Sequence, residues 1–344
     1  MVSTLDDTKR TAIATKLADM KALQNLLISN EQMLLNACGD QEICKRVRDM
    51  LNDDQKNLGV LDTVIVQYGV KAEPKKTTQE LIEKTQKIMQ GSDLSLYEKF
   101  SQHELLKHAQ VMKGLLVHKA AQVVGADIEA AITPLNTINF ENRAHQEQLK
   151  GILEVLGVRE LTGKDPDQGI WARVQDAVAA FSGVAGSVLT QNSDMSDMTI
   201  EQIIRMDHAK ANTLFMEIEG AKDPQKAQEF FGQLYKDLTA HAKAEEQVVY
   251  PAVRAYYQKT EDLYQEQAEQ ERMLNQIRSL SPASPMFKDQ VKQLAQMTRH
   301  HINQEENEMF PKIRDNFSSA QQQQMASEFK AAKSKLQDQM SAMK

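Results

Sequence analysis

The sequence predicts an all-α protein built from two antiparallel helical bundles. Only 14 glycines and 8 prolines occur in 344 residues, and most of them stand at the edges of amphipathic runs. No segment sustains an alternation of apolar and polar residues at a period of two, so we predict no strands. The length exceeds that of a common single domain, which favours two domains.

Helix boundaries can be placed from capping residues. Five glycines each follow an amphipathic run, as C-terminal caps do: Gly39, Gly69, Gly91, Gly125 and Gly157. Four pairs have the spacing of capping boxes or of a cap followed by proline: Thr77/Glu80, Thr199/Gln202, Asp223/Pro224 and Ser284/Pro285. In chain order, these signals predict helices at 5–37, 41–68, 78–90, 93–124, 137–156, 169–190, 200–219, 225–257, 261–280, 286–316 and 319–341.

A turn-rich stretch at 161–169 separates the two halves of the chain. A narrow apolar stripe follows it, suited to packing between domains or across a dimer: Val174, Val178, Phe181, Val184 and Val188. We therefore expect a helical bundle at 1–158, a linker with an amphipathic helix at 159–198, a second bundle at 199–317 and a C-terminal helix at 318–344.

Composition narrows the function classes. The net charge is −7, with 41% hydrophobic and 26% charged residues, so no basic field for nucleic acid is present. The sequence has neither a signal-peptide pattern nor an apolar run near 18 residues, which predicts no stable membrane insertion. We expect a cytoplasmic protein in which Cys38 and Cys44 are packed thiols rather than a disulfide. A homo-oligomer is compatible with these features.

Two near-identical elements carry the strongest signal. They read His241-Ala-Lys-Ala-Glu245-Glu246 and His301-Ile-Asn-Gln-Glu305-Glu306, and each runs into a proline. A histidine and a glutamate four residues apart lie one turn above each other on a helix, so one face offers both an imidazole and a carboxylate. Apolar residues flank both elements. Charged groups on such a face must be paired or bound to a metal.

A third element, Asp207-His208, precedes these two. Together the three resemble the hemerythrin-like (HHE cation-binding) family over about residues 199–317. The resemblance implies an up-down four-helix bundle around a non-haem di-iron centre. It further implies that His208, His241 and His301 are ligands and that Glu245 and Glu305 bridge the metals. Manganese or zinc are alternatives to iron.

The third helix departs from the family pattern. Where the family has Glu-His, the chain reads Glu269-Gln270, and an amide oxygen is a weaker iron ligand than an imidazole. Glu266, one turn earlier, is a candidate substitute ligand. Three interpretations follow: an asymmetric di-metal site, a single metal ion, or a relic site.

The first half also places polar groups on apolar stripes. These candidate ligands are Glu31, Asp54, Glu104, His108, Glu141 and His145. They resemble, more weakly, the inward-facing ligands of a ferritin-like di-iron bundle, although the spacing is E-x-x-x-H rather than E-x-x-H. The alternative is that they lie at stripe edges and pair with cations such as Lys107 and Arg143.

Iron held by imidazoles and carboxylates can bind O₂, NO or peroxide or change oxidation state. We therefore expect an iron-binding protein of the oxygen, NO or peroxide response or of iron handling. Its partner would be a small diatomic or peroxide ligand, with no nucleic acid. No motif of another enzyme class is found, and enzymatic activity stays open. The alternative is a helical interaction or structural protein with a degenerate or purely structural metal site.

Overall fold

The computed structural model describes residues 7–166, 169–184 and 198–342, and every regular element within them is helical. The first half contains α1 (Asp7–Ala37), α2 (Gln41–Tyr68), α3 (Lys76–Gln90), α4 (Leu96–Val124), α5 (Ala126–Ile132), α6 (Leu135–Thr162) and α7 (Ile170–Val184). The second contains α8 (Ile200–Gly220), α9 (Pro224–Ala244), π1 (Glu245–Val249), α10 (Tyr250–Val253), α11 (Thr260–Arg278), α12 (Pro285–Gln304), π2 (Glu305–Met309), α13 (Phe310–Asn316) and α14 (Ser319–Ala342). The predicted all-α class is confirmed.

Four long helices, α1, α2, α4 and α6, form the N-terminal bundle around two apolar clusters. One cluster includes Leu17, Leu61, Val117 and Ile138, and the other includes Leu34, Val47, Phe100 and Ile152. Residue numbers rise from the first cluster to the second in α1 and α6 and fall in α2 and α4, so these two pairs run in opposite directions. The segment carrying α3 returns the chain between α2 and α4. Ferritin-like folds also have one such crossover, and kinship with them stays a prediction.

Helix α7 packs onto this bundle. Ile170 and Val174 are buried in the second apolar cluster, and the Arg46 guanidinium lies 4.2 Å from the Trp171 ring centre. A Cβ at Gly151 of α6 would lie 2.5 Å from Val174, so glycine permits the close approach. The range 159–198, which we expected to be a linker, thus includes the last turn of α6 and a helix, α7, that packs on the first bundle. The side chains from 179 and all of 185–197 lie outside the described residues, and with them three members of the predicted stripe, Phe181, Val184 and Val188.

The second bundle has the up-down order α8, α9–π1–α10, α11 and α12–π2–α13. Its start is fixed by Thr199, whose hydroxyl accepts from the backbone N–H of Gln202 in a capping box. One apolar cluster holds Phe215 and Phe231 and a second holds Val249 and Phe310. The two His-x-x-x-Glu elements and Asp207-His208 lie between these clusters. Helix α14 packs along α8 and α9 as a fifth helix.

Two further observations bear on the sequence-based expectations. Among the described residues, no helix is both long enough and apolar enough to cross a membrane. Cys38 and Cys44 are joined by a disulfide at the turn between α1 and α2, which differs from the expected packed thiols.

Candidate metal centre

Both His-x-x-x-Glu elements change from α-helix to π-helix at their glutamate. Helix α9 passes into π1 at Glu245, and α12 passes into π2 at Glu305. Pro251 and Pro311 follow two residues after these turns. Proline lacks an N–H and clashes with the carbonyl four residues back. The wider turn, in which the Tyr250 N–H donates to the Glu245 carbonyl, accommodates it. Such π turns are rare and frequently mark functional sites.

The two elements and α8 bring four buried ligand groups together. One ligand atom from each of His208, His241, Glu245 and Glu305 lies within 4.8 Å of all the others. His208 Nε2 is 3.1 Å from Glu305 Oε2, and His241 Nε2 is 3.2 Å from Glu245 Oε2. His301 Nε2 adjoins the group at 3.3 Å from Glu305 Oε1. The structure thus brings together all five residues expected from the motifs.

Each histidine contacts a carboxylate through Nδ1, the ring nitrogen on the side away from the cluster. The pairs are Asp207 with His241 at 3.0 Å, Glu306 with His208 at 2.8 Å and Glu266 with His301 at 2.7 Å. A carboxylate at Nδ1 fixes the proton on that nitrogen in the neutral ring and aims Nε2 at the cluster. Metal-bound histidines generally have this second partner.

Glu266 therefore requires a correction. It was expected as a substitute ligand, but its Oε2 contacts His301 Nδ1, on the far side of the ring from the cluster. Its Oε1 lies 3.7 Å from His300 Nε2 at the surface. Glu266 orients a histidine and does not point at the site.

The two halves of the bundle repeat the same roles. Asp207 on α8 holds the histidine 34 residues later, and Glu266 on α11 holds the histidine 35 residues later. The residue after Asp207 is His208, and the residue after Glu266 is Gln267. Gln267 is buried, and its Nε2 donates to Glu245 Oε2 at 2.7 Å. Gln267 therefore occupies the place of the fourth histidine.

The sequence-based placement at Gln270 is wrong by one helical turn. Gln270 Oε1 accepts from the Thr298 hydroxyl at 3.3 Å rather than contacting the glutamates. Gln267 and Gln270 lie three residues apart on one helix face, so periodicity cannot separate them. The near-equal spacing from Asp207 and Glu266 to the following histidine was the signal that could have done so.

Tyr250 is the residue that the sequence-based reasoning missed. Its hydroxyl lies 2.7 Å from Glu305 Oε1, 3.2 Å from His301 Nε2 and 3.3 Å from Glu245 Oε2. Gln267 Nε2 donates to it at 2.5 Å. The other repeat has Phe310 at the equivalent position. Tyr250 thus places a phenol oxygen on the side of the cluster that lacks the fourth histidine.

Buried opposite charges set the protonation of the cluster. Burial opposes the charged ring of His241, but Glu245 and Asp207 raise its pKa to about 10. The pKa of His301 is likewise raised to about 10 against burial, by Glu305 and Glu266. Burial also opposes ionisation of Glu305, yet His301 and His208 hold its pKa well below the usual range. In the metal-free protein the histidines therefore carry protons, which a metal must displace.

The donor set fits a metal ion. Glu245 Oε1 is buried without a hydrogen-bond partner, and such a group is costly unless something else satisfies it. His208 Nε2 and Glu305 Oε2 lie 3.1 Å apart as an ion pair, so a metal ion at this point would replace the proton that the two atoms share. Imidazole and carboxylate ligands together suit iron, manganese or zinc.

Comparisons with known proteins agree with this geometry. The model of the hemerythrin HHE cation binding domain matches residues 199–313. A Nostoc sp. (strain PCC 7120 / SAG 25.82 / UTEX 2576) protein named DNA nickase is 62% identical over 342 residues, which cover 99% of this chain and 97% of the relative. The chain belongs to the family of this relative, with a hemerythrin HHE domain at its C-terminal end. No solved structure matches the chain.

A small cavity adjoins the cluster of the HHE domain. It has a volume of about 20 Å³ and is lined by His208, His241, His301, Gln267 and Gln270 among others. A single water needs about 10–15 Å³ by this measure. The space beside the histidines therefore admits one very small molecule and excludes a sugar, a base or a nucleotide.

In the N-terminal bundle the buried carboxylates meet a lysine. Glu31 and Asp54 are fully buried, and both pair with Lys107 Nζ, with Glu31 Oε1 at 3.2 Å. His145 Nδ1 lies 3.0 Å from the same nitrogen, and His103 Nε2 lies 3.2 Å from Glu31 Oε1. An ammonium group thus sits where these polar groups from four helices converge.

The remaining N-terminal candidates do not join this group. His108 is exposed and Glu104 is half-buried, and their side chains contact Gln146 at 3.1 and 3.0 Å. His108 therefore does not face the core as expected, and Glu104 contacts α6 rather than the group around Lys107. Glu141 is half-buried, and burial raises its pKa.

Proposed function

We propose that the HHE domain is a non-haem iron centre that responds to oxygen, NO or peroxide or serves iron handling. The observation that carries the proposal is the orientation of three histidines. Each is held at Nδ1 by a carboxylate, the Nε2 atoms face two buried glutamates, and Glu245 Oε1 has no hydrogen-bond partner. Iron at such ligands would supply reversible ligand binding and a change of oxidation state.

The ligands support an asymmetric site. His208 and His241 would hold one metal position together with the two glutamates. His301 would hold a second position between the same glutamates, with the oxygens of Gln267 and Tyr250 in place of a fourth imidazole. The single-metal interpretation predicts that only the first position fills. The relic interpretation predicts that neither fills.

The cavity volume limits what the centre can bind. A space of about 20 Å³ suits a diatomic molecule, peroxide or water. The protein's own contribution would be to keep this space small and to fix the histidine rings. These properties favour a small exogenous ligand over an organic substrate.

Metal analysis of purified full-length protein tests the proposal. Glu305→Gln removes one shared carboxylate charge and should abolish iron binding. Glu308→Gln is the matched control, because Glu308 lies in the same π turn but pairs with Lys259 at the surface at 2.8 Å. Wild-type protein without iron, manganese or zinc, or equal metal content in the Glu305 variant, would refute the proposal.

For the N-terminal bundle we propose that no metal binds. Lys107 supplies the positive charge that the buried carboxylates need, and it contacts Asp54, Glu31 and His145 together. The bundle would then act as a folded support for the HHE domain. Zinc or manganese bound by a variant whose HHE ligands have been removed would contradict this.

The relative's name favours a second candidate, DNA strand nicking. The identity of 62% over nearly the whole length supports a shared activity, and it weighs against a purely structural protein and against the expected absence of a nucleic-acid partner. The cluster residues are buried, and the cavity excludes a nucleotide. A phosphodiester therefore cannot enter the centre in this conformation.

Conversion of supercoiled plasmid to open circles by purified protein tests this candidate. Loss of nicking in Glu305→Gln, with retention in Glu308→Gln, would show that cleavage depends on the metal centre. Equal nicking by both variants would place the cleavage at another site. The absence of nicking under all metal conditions would refute the candidate for this chain.

A further inference from the structure

Helix α14 lies outside the residues matched by the family model, yet it brings a buried lysine to the metal cluster. The Lys333 side chain is 2% exposed, and its ammonium pairs with Asp207 Oδ1. The other oxygen of Asp207, Oδ2, accepts from His241 Nδ1 at 3.0 Å. One carboxylate therefore joins the lysine of α14 to a histidine of the centre.

The Lys333–Asp207 pair differs from the other carboxylate supports. Glu306, behind His208, pairs with Arg205, whose side chain is 46% exposed. Water screens such a pair, whereas both members of the Lys333–Asp207 pair are buried. Asp207 is thus held at both of its oxygens, by the Lys333 ammonium at Oδ1 and by the His241 ring at Oδ2.

Lys333 also touches the N-terminal bundle. Its Nζ lies 3.4 Å from Gln67 Oε1 on α2. Lys210 of α8 donates to the backbone carbonyls of Gln67 at 2.7 Å and Tyr68 at 3.1 Å. The last carbonyls of a helix have no partner within it. Here the Lys210 side chain of the HHE domain donates to these carbonyls, so the two domains meet where it caps the C-terminal end of α2.

Two further features hold the end of α2 close to the second half of the chain. Gln337, one turn after Lys333, donates to the Val66 carbonyl at 3.0 Å. Gly69 follows α2 with φ of 75°, and a Cβ there would lie 2.9 Å from Asp237 Oδ1. A larger residue there would be strained by the positive φ and would displace the Asp237 carboxylate, which pairs with Lys210 Nζ at 3.0 Å.

We propose that Lys333 is a positioning residue of the centre, which fixes His241 through Asp207 and ties this geometry to the N-terminal bundle through Gln67. The HHE domain would then depend on two elements that lie outside it, α14 and the end of α2. The effect on metal affinity rests on the proposed metal function, whereas the effect on the His241 ring does not.

The first experiment uses full-length, metal-free protein with ¹⁵N-labelled histidine. In the wild type, the Nδ1 proton of His241 should exchange slowly with solvent. Lys333→Met should speed this exchange at least about tenfold, the factor that corresponds to losing a hydrogen bond between charged groups, because Asp207 loses its anchor. Asp207→Asn gives the reference for complete loss, and Lys335→Met, at an exposed position on α14, should match the wild type. Unchanged exchange in Lys333→Met would overturn the proposal.

Gln67→Leu gives a second test if Lys333→Met does not fold. It removes only the contact of Lys333 with α2 and leaves the Asp207 pair in place. Exchange of the His241 proton should become faster than in the wild type and stay slower than in Asp207→Asn. Exchange equal to the wild type would overturn the link to the N-terminal bundle.

The second experiment measures zinc affinity by competition with a coloured chelator. Lys333→Met and Asp207→Asn should each weaken binding about 10–100-fold, the range for partners of metal-bound histidines. The double variant should be no weaker than the worse single variant, because both act through one carboxylate. Additive losses would overturn the proposal. A wild type that binds no metal would refute the proposed function, while the proton-exchange result would still decide the role of Lys333.

Discussion

Replacing Lys107 by methionine should destabilise the N-terminal bundle strongly. Methionine keeps the length of the side chain but removes the charge from a fully buried position. Asp54 and Glu31 would then remain buried, with His145 and His103 as the nearby cation sources among the described residues. Removing one partner of a buried ion pair costs about 3–5 kcal/mol. Two carboxylates share this ammonium, so we expect the upper part of that range.

This loss is large compared with the total stability of a domain, which is about 5–15 kcal/mol. For a bundle of this size it corresponds to a lower melting temperature by about 6–20 °C. Native-state hydrogen exchange of amides in the middle of α4 measures the loss without requiring both domains to unfold together. Lys119→Met, at an exposed position on the same helix, is the control and should change stability little.

The combination of Lys107→Met with Asp54→Asn tests the mechanism. If the loss arises from uncompensated charge, removing the charge of Asp54 should restore part of the stability lost in the single variant. A loss below about 1 kcal/mol in Lys107→Met, the value of a surface pair, would refute the reasoning. A bound metal in the wild-type bundle would then become the better explanation of the buried carboxylates.

Three further outcomes are expected at the HHE centre. Gln267→His should raise the metal stoichiometry or tighten binding at the weaker metal position, whereas Gln270→His should do neither. A metal titration under nitrogen measures this. The reverse result would show that position 270, not 267, takes the place of the fourth histidine. Tyr250→Phe should weaken zinc binding at the second metal position without affecting the first. If the variant and the wild type have equal zinc affinity at both positions, the phenol does not contribute. Metal affinity should rise with pH between about 7 and 10, because the raised pKa values of His241 and His301 keep protons on the rings that must leave, at about tenfold per pH unit for each proton displaced. A flat profile from competition titrations would show that the metal-free histidines are already neutral.

Capping residues in the sequence predicted the helix starts correctly where the cap side chain bonds to the first turn of the helix. The Thr199 capping box and the caps at Asp223 and Ser284 are present as expected. The box expected at Thr77 is absent, because α3 begins one residue before it, at Lys76. A capping signal works only if the preceding backbone is non-helical, which neighbouring residues decide.

Helix α4 shows why the N-terminal site could not be found from periodicity. The sequence suggested that Glu104 and His108 face the core, but the buried positions are His103 and Lys107, one residue earlier. Apolar residues also occur on the exposed side of this helix, for example Leu105 and Met112. When apolar residues occur on several sides of a helix, periodicity does not identify the buried face. That face is then decided by the helices packed against it.

The sequence by itself determined the helical class, the metal-binding elements His241–Glu245 and His301–Glu305, and the resemblance to a family that matches residues 199–313. These features depend on residues within one or two turns of each other, where helix geometry fixes the relative positions. The tertiary structure alone decided that Gln267 faces the glutamates, that Tyr250 lies among them, and that Lys107 and Lys333 neutralise buried carboxylates. Each of these depends on the rotation and depth of one helix against another, and those are set by packing across residues distant in the chain.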